Sequence, residues 1–131
     1  VGVTSQTVRP VAGAVATAAV VDLIVVLVFA AIGRNSHAEG ITVLGTLTTA
    51  GPFLVALLLG WLVGRVWRAP LTLPTGAFVW AVTAGIGLAV RTVFTHRLPL
   101  SFVLVASISL AVLLIGWRLL ALLATRWTRS A

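Results

Sequence analysis

The 131-residue sequence contains no cysteine, lysine, methionine or tyrosine, and only two acidic residues, Asp22 and Glu39. The absence of cysteine excludes disulfides, thiolate metal ligands, iron–sulfur clusters and a cysteine nucleophile. One Asp and one Glu leave acid–base catalysis little to work with. No nucleophile–base pair and no Gly-rich phosphate loop is present, so no enzyme activity is expected. Charged residues make up 8% of the chain, against about 25% in a soluble domain. That is too little charge to cover a water-facing surface, and lipid must be the main solvent.

What the chain does have is apolar length: 60% of its residues are hydrophobic and the mean hydropathy is +1.19. Four apolar runs stand out, Val11–Gly33, Val43–Gly64, Thr75–Phe94 and Pro99–Ala124. Each has roughly the 20 residues that cross a hydrocarbon core about 30 Å thick. In lipid only helices or closed barrels satisfy the backbone, and runs that do not alternate favour helices. The first run is long and lacks a small-residue cleavage motif, so it is expected to be retained as a span. The polar connections are short, which makes consecutive helices antiparallel neighbours. The expected fold is a single all-α domain over residues 1–131, an integral membrane up-down-up-down four-helix bundle.

Nine arginines give a net charge of +7. They gather at the ends of apolar runs, where anionic headgroups account for them. There is no basic stripe interleaved with aromatics, so nucleic acid is not an expected partner. Arg9, Arg65, Arg68, Arg126 and Arg129 fall on one side and Arg34 and Arg97 on the other. By the positive-inside rule both termini are then cytoplasmic. Abundant Ala, Val, Gly and Arg without Lys suggests a GC-rich bacterial genome, which makes the cell (inner) membrane the expected location. Trp61, Trp67, Trp80, Trp117 and Trp127 all fall in the same half of the bundle, whereas aromatic belts ordinarily occupy both interfaces.

Asp22 is the outstanding position. Eleven residues into the first run, it is expected near the bilayer midplane, where a charge costs roughly 2.5–3.5 kcal/mol. Arg91 and Arg118 lie inside the third and fourth runs, each roughly 7–9 Å from it in depth at 1.5 Å per residue. Three readings stand: an Asp22–Arg pair that fixes helix register, a carboxylate that handles protons or ligand, and a contact to another subunit. At the opposite end Arg34, Asn35, His37, Glu39, His96 and Arg97 form an outer-face polar cluster near Arg91. Its two readings are an anion site for a headgroup or small acid and a solvated loop with snorkelling arginines. His37 and His96 lie outside the helices and lack a ligand spacing, so no metal or cofactor is expected.

Pro52-Phe53 near the middle of the second run marks a helix kink. It is expected beside Asp22, with Thr46, Thr48 and Thr49 capping freed carbonyls. Gly60 and Gly64, Thr83 and Gly87, and Gly13 and Thr17 repeat a small residue every fourth position, which permits close helix packing within the chain or across a dimer. Leu58-Leu59-Gly60-Trp61 is faintly echoed by Leu114-Ile115-Gly116-Trp117.

Asp22 and Phe29, Gly33-Arg34-Asn35-Ser36-His37, Pro52-Phe53, Trp61, Arg91, Ser101-Phe102 and Gly116-Trp117-Arg118 together resemble a family known as domain of unknown function 3054. Its members are small four-helix membrane proteins, mainly of actinobacteria and haloarchaea. The resemblance implies that these residues share one site or one packing core, and it implies no activity. The expected role is a non-enzymatic accessory or interaction subunit of a membrane assembly, in partnership with the bilayer and with further copies or other chains. The alternative is a small oligomeric transporter or proton-coupled channel that uses Asp22, by analogy of layout with small multidrug-resistance transporters.

Overall fold

The computed structural model describes residues 12–36 and 42–130. They form four long helices, α1 (Ala12–Ser36), α2 (Val43–Val63), α3 (Leu73–Thr95) and α4 (Leu100–Ser130), with a one-turn 3-10 helix at Val66–Arg68. Among the described residues there is no strand.

Local chemistry sets the helix ends. Thr42 caps α2 by accepting the Gly45 N–H at 3.0 Å, and Thr72 caps α3 by accepting the Thr75 N–H at 3.3 Å. Such caps satisfy N–H groups that the helix leaves without partners. α3 starts two residues before Thr75, because Pro74 falls in the first turn, where its missing N–H costs nothing. Two non-glycine residues take left-handed backbone conformations at breaks, Arg65 (φ 48°) after α2 and His96 (φ 57°) after α3. α4 continues to Ser130, well past Ala124.

Each helix packs on its neighbours in a closed ring: α1 on α2, α2 on α3, α3 on α4 and α4 on α1. The contacts run in opposite chain senses within successive pairs, as an up-down-up-down bundle requires. Asp22 meets Trp61 while Phe29 meets Phe53. Gly64 lies against Phe78 while Gly87 lies against Phe53. Trp80 reaches Ser107 while Arg91 covers Phe102. The core between the helices holds Val26, Phe53, Val79, Leu110 and Leu114, each fully buried.

All four helices are long and apolar enough to cross a membrane. No more than 33% of any span's most apolar stretch is buried inside the chain. The rest of the apolar surface, including Leu58, Ile108, Val112 and Leu120, faces outward and needs an apolar solvent. The chain is a small multi-pass membrane protein.

Candidate functional site

Asp22 on α1 and Arg118 on α4 are both fully buried and face each other across the bundle. Arg118 presents its planar fork to the carboxylate. Nη2 donates to Oδ2 at 2.8 Å and Nη1 to Oδ1 at 2.9 Å. This two-bond geometry is the strongest form of an arginine–carboxylate pair. Each carboxylate oxygen takes one further bond: Trp61 Nε1 donates to Oδ2 and Trp117 Nε1 to Oδ1, both at 2.9 Å. Asp22 thus accepts four hydrogen bonds, filling the roughly four lone-pair sites of a carboxylate.

Arg118 is equally well supplied. Its Nε donates to the Pro70 carbonyl at 2.8 Å and its Nη1 also donates to the Leu114 carbonyl at 3.0 Å. With the two bonds to Asp22, four of its five N–H donors are satisfied. The guanidinium carbon also lies 4.6 Å from the centroid of the Trp117 ring, within cation–π range. Pro70 reaches the pair because the α2–α3 connection folds inward, with Val66 buried beneath it.

Arg118 has room through a glycine. A Cβ at Gly76 would sit 2.9 Å from Arg118 Cδ and 3.5 Å from Ile115 Cα. The guanidinium is pinned by its hydrogen bonds, so that stem cannot swing aside without breaking them. The four helices and the second connection therefore converge on one polar cluster in which the two charges match and nearly every hydrogen-bonding group has a partner.

Asp22 stands near the middle of the apolar span Gly13–Gly33 of α1, while part of its support comes from one end of the bundle. Trp61 is two residues from the end of α2, and Pro70 belongs to the connection beyond it. Arg91 is the arginine that does not join Asp22. Its guanidinium carbon stands 4.1 Å from the Phe102 centroid at the far end. There Phe29, Phe53 and Phe102 form an aromatic cluster, with Phe29 edge-on to Phe53 at 5.1 Å between centroids.

Pro52 is also at the far end, beside Arg91 and Val90 in a shallow cleft between α2 and α3, and not beside Asp22. α2 runs through it unbroken. Thr48 Oγ1 donates to the Leu44 carbonyl at 2.8 Å, a carbonyl that Pro52 does not free, since a proline removes the bond to the residue four before it. Thr46 Oγ1 is buried without a hydrogen-bond partner, as is Thr83 Oγ1.

The glycines at the small-residue positions on α2 and α3 each face a larger side chain of the other helix inside the chain. Cβ atoms at Gly60, Gly64 and Gly87 would meet Val82, Phe78 and Phe53 at 3.3, 2.3 and 2.4 Å, and Thr83 is fully buried. Of the outer polar cluster, His96 and Arg97 are exposed just after α3. The backbone of Arg34 and Asn35 continues α1. Their side chains, with His37 and Glu39, lie outside the described residues.

The resemblance grouped Trp61 and Trp117 with Asp22 and Arg118, but the residues alone did not mark the indoles as hydrogen-bond donors to Asp22, nor Gly76 as the gap for Arg118. The signal for the tryptophans was present in the echoed Gly60-Trp61 and Gly116-Trp117, which place one indole on each oxygen of one carboxylate. That also accounts for part of the one-sided tryptophan distribution. A third indole, Trp80, donates to the Ser107 carbonyl at 2.8 Å.

The family described as "Protein of unknown function (DUF3054)" matches residues 19–121. That stretch runs from just before Asp22 to just after Arg118 and includes both tryptophans. No curated protein and no solved structure matches the chain.

Proposed function

The chain belongs to this family, and from that premise we propose that it is a non-enzymatic protein of the cell membrane, an accessory or interaction subunit of a larger membrane assembly, with both termini cytoplasmic. The observation that carries this reading is the closed state of Asp22. A carboxylate that cycles protons or substrate must exchange its partners with water or ligand. Asp22 is fully buried, holds a two-bond arginine and two indoles, and is absent from the lining of the four grooves and clefts at Phe29, Phe102, Trp67 and Pro52. Such a group fixes how four helices meet. Large outward apolar faces, notably Leu104, Ile108, Val112 and Leu120 on α4, leave surface for other transmembrane helices as well as for lipid.

The test is the mass of the complex in native membranes, by gentle solubilisation and native mass spectrometry of the tagged chain. A hetero-complex with stoichiometric partner chains is expected. A lone monomer would refute the reading. A homo-oligomer without other chains would transfer support to the transporter, with proton-coupled flux as the next assay.

A further inference from the structure

The end of the bundle away from Asp22 is built differently. A cavity of about 450 Å³ opens there between the helices, lined by Arg91, Arg97, Thr95, Ser101, Phe29 and Phe102, among others. Arg91 is half-buried with its guanidinium over the Phe102 ring. The left-handed turn at His96 ends α3, and Thr95 Oγ1 accepts the Arg97 N–H at 3.4 Å. The turn brings Arg97 back to the cavity rim. α4 starts beside it at Leu100, adding the positive end of its dipole in the same sense.

The charge here is not balanced. Among the described residues the sole carboxylate is Asp22, which Arg118 holds outside this cavity. A second, apolar groove of about 340 Å³ continues from the cavity along α1 and α4. It shares Phe29, Gly33 and Phe102 with the cavity and extends past Val105, Ile108 and Val112. A cationic pocket thus runs into an apolar trough open to the side of the bundle.

We propose that this end binds an acidic lipid, with the headgroup oxyanion on Arg91 and Arg97 and an acyl chain along the α1–α4 groove. Arginine forks suit a phosphate oxyanion, and the trough suits a hydrocarbon chain that would otherwise lie unaligned in the bilayer. The site is separate from the Asp22 cluster and does not depend on the accessory-subunit reading.

Native mass spectrometry of the full chain, titrated with phosphatidylglycerol or phosphatidylcholine, tests it. Wild type is expected to hold phosphatidylglycerol about tenfold more tightly than phosphatidylcholine. The Arg91→Gln/Arg97→Gln variant should lose that preference, as should Arg97→Gln alone in part if the double variant fails to fold. Val105→Trp, which fills the groove, should lower phosphatidylglycerol occupancy with the arginines intact. Arg126→Gln, at the opposite end of α4, should change nothing. An equal loss in Arg126→Gln would overturn the proposal in favour of unspecific charge attraction. So would unaltered preference in the arginine variants, or displacement of the lipid by an equal concentration of glycerol phosphate, which has the anion without the chain.

Discussion

Consider the removal of either member of the Asp22–Arg118 pair. Breaking a buried ion pair by deleting one partner costs about 3–5 kcal/mol, because the survivor is left charged and unmatched. Here Asp22→Asn does more than remove a charge. One of the two carboxylate oxygens becomes an NH2 group, which points its hydrogens at the two donors that were bonded to that oxygen, one Arg118 nitrogen and one indole. The expected loss is at the upper end of that range. Arg118→Leu removes four donated bonds, including those to Pro70 and Leu114, but leaves both indoles on the carboxylate, so about 3 kcal/mol is expected. Taking both ends away, as Asp22→Leu with Arg118→Leu, removes the orphaned charge along with its partner. The double variant should therefore be more stable than the sum of its singles by at least about 2 kcal/mol. The assay is reversible unfolding in mixed micelles, or steric trapping in bilayers, run as a double-mutant cycle. Additive losses would show that the two side chains do not interact. An Asp22→Asn protein as stable as wild type would refute the reasoning and reopen a proton-handling role.

Three further outcomes follow from the geometry. Trp61→Phe and Trp117→Phe each delete one hydrogen bond to a charged group while keeping most of the ring, and each should cost about 1.5–3 kcal/mol in the same unfolding assay; Trp67→Phe, at an exposed site, should cost little. Gly87→Ala would drive a methyl into the Phe53 ring, held between Phe29 and Phe102, for a loss of about 1–3 kcal/mol. Gly85→Ala, with nothing within 4 Å of the new methyl, should be neutral or stabilising by up to about 1 kcal/mol; equal effects at the two glycines would mean that α2 and α3 do not pack as described. Thr83→Val replaces a buried hydroxyl that lacks a partner with a group of the same shape, so thermal stability should hold or rise, and a loss above about 1 kcal/mol would reveal a hydrogen bond at that hydroxyl.

The four helices were legible in the sequence because a bilayer makes so simple a demand: about 20 apolar residues, then a polar break. Asp22 and Arg118 were legible as members of a short list, since charges inside apolar runs are rare enough to name. Choosing Arg118 over Arg91 was not, because both stand at similar depth from Asp22 and only the helix arrangement separates them. The Pro70 carbonyl was not legible either, because it reaches Arg118 only through the inward fold of the α2–α3 connection. The one-sided tryptophans did not declare their role, because an indole beside a buried carboxylate and an indole at a headgroup look the same in sequence. Gly76 carried no spacing signal: it is needed for a partner 42 positions away, not for a neighbour on its own helix.

The span of the Asp22–Arg118 contact, 96 residues along the chain, has a meaning for synthesis. Ribosomes add roughly 5–20 residues per second, so Asp22 waits roughly 5–20 s in or beside the insertion machinery for its counter-charge. Trp61 arrives earlier and offers one indole, a partial stay. Only when α4 enters the membrane does the last donor arrive and the carboxylate become fully matched. A chain that stops short of Arg118 keeps an unanswered acid among apolar helices, which the quality-control proteases of the membrane can recognise. The pair thus acts as a proof of completion, signed by the last helix for the first.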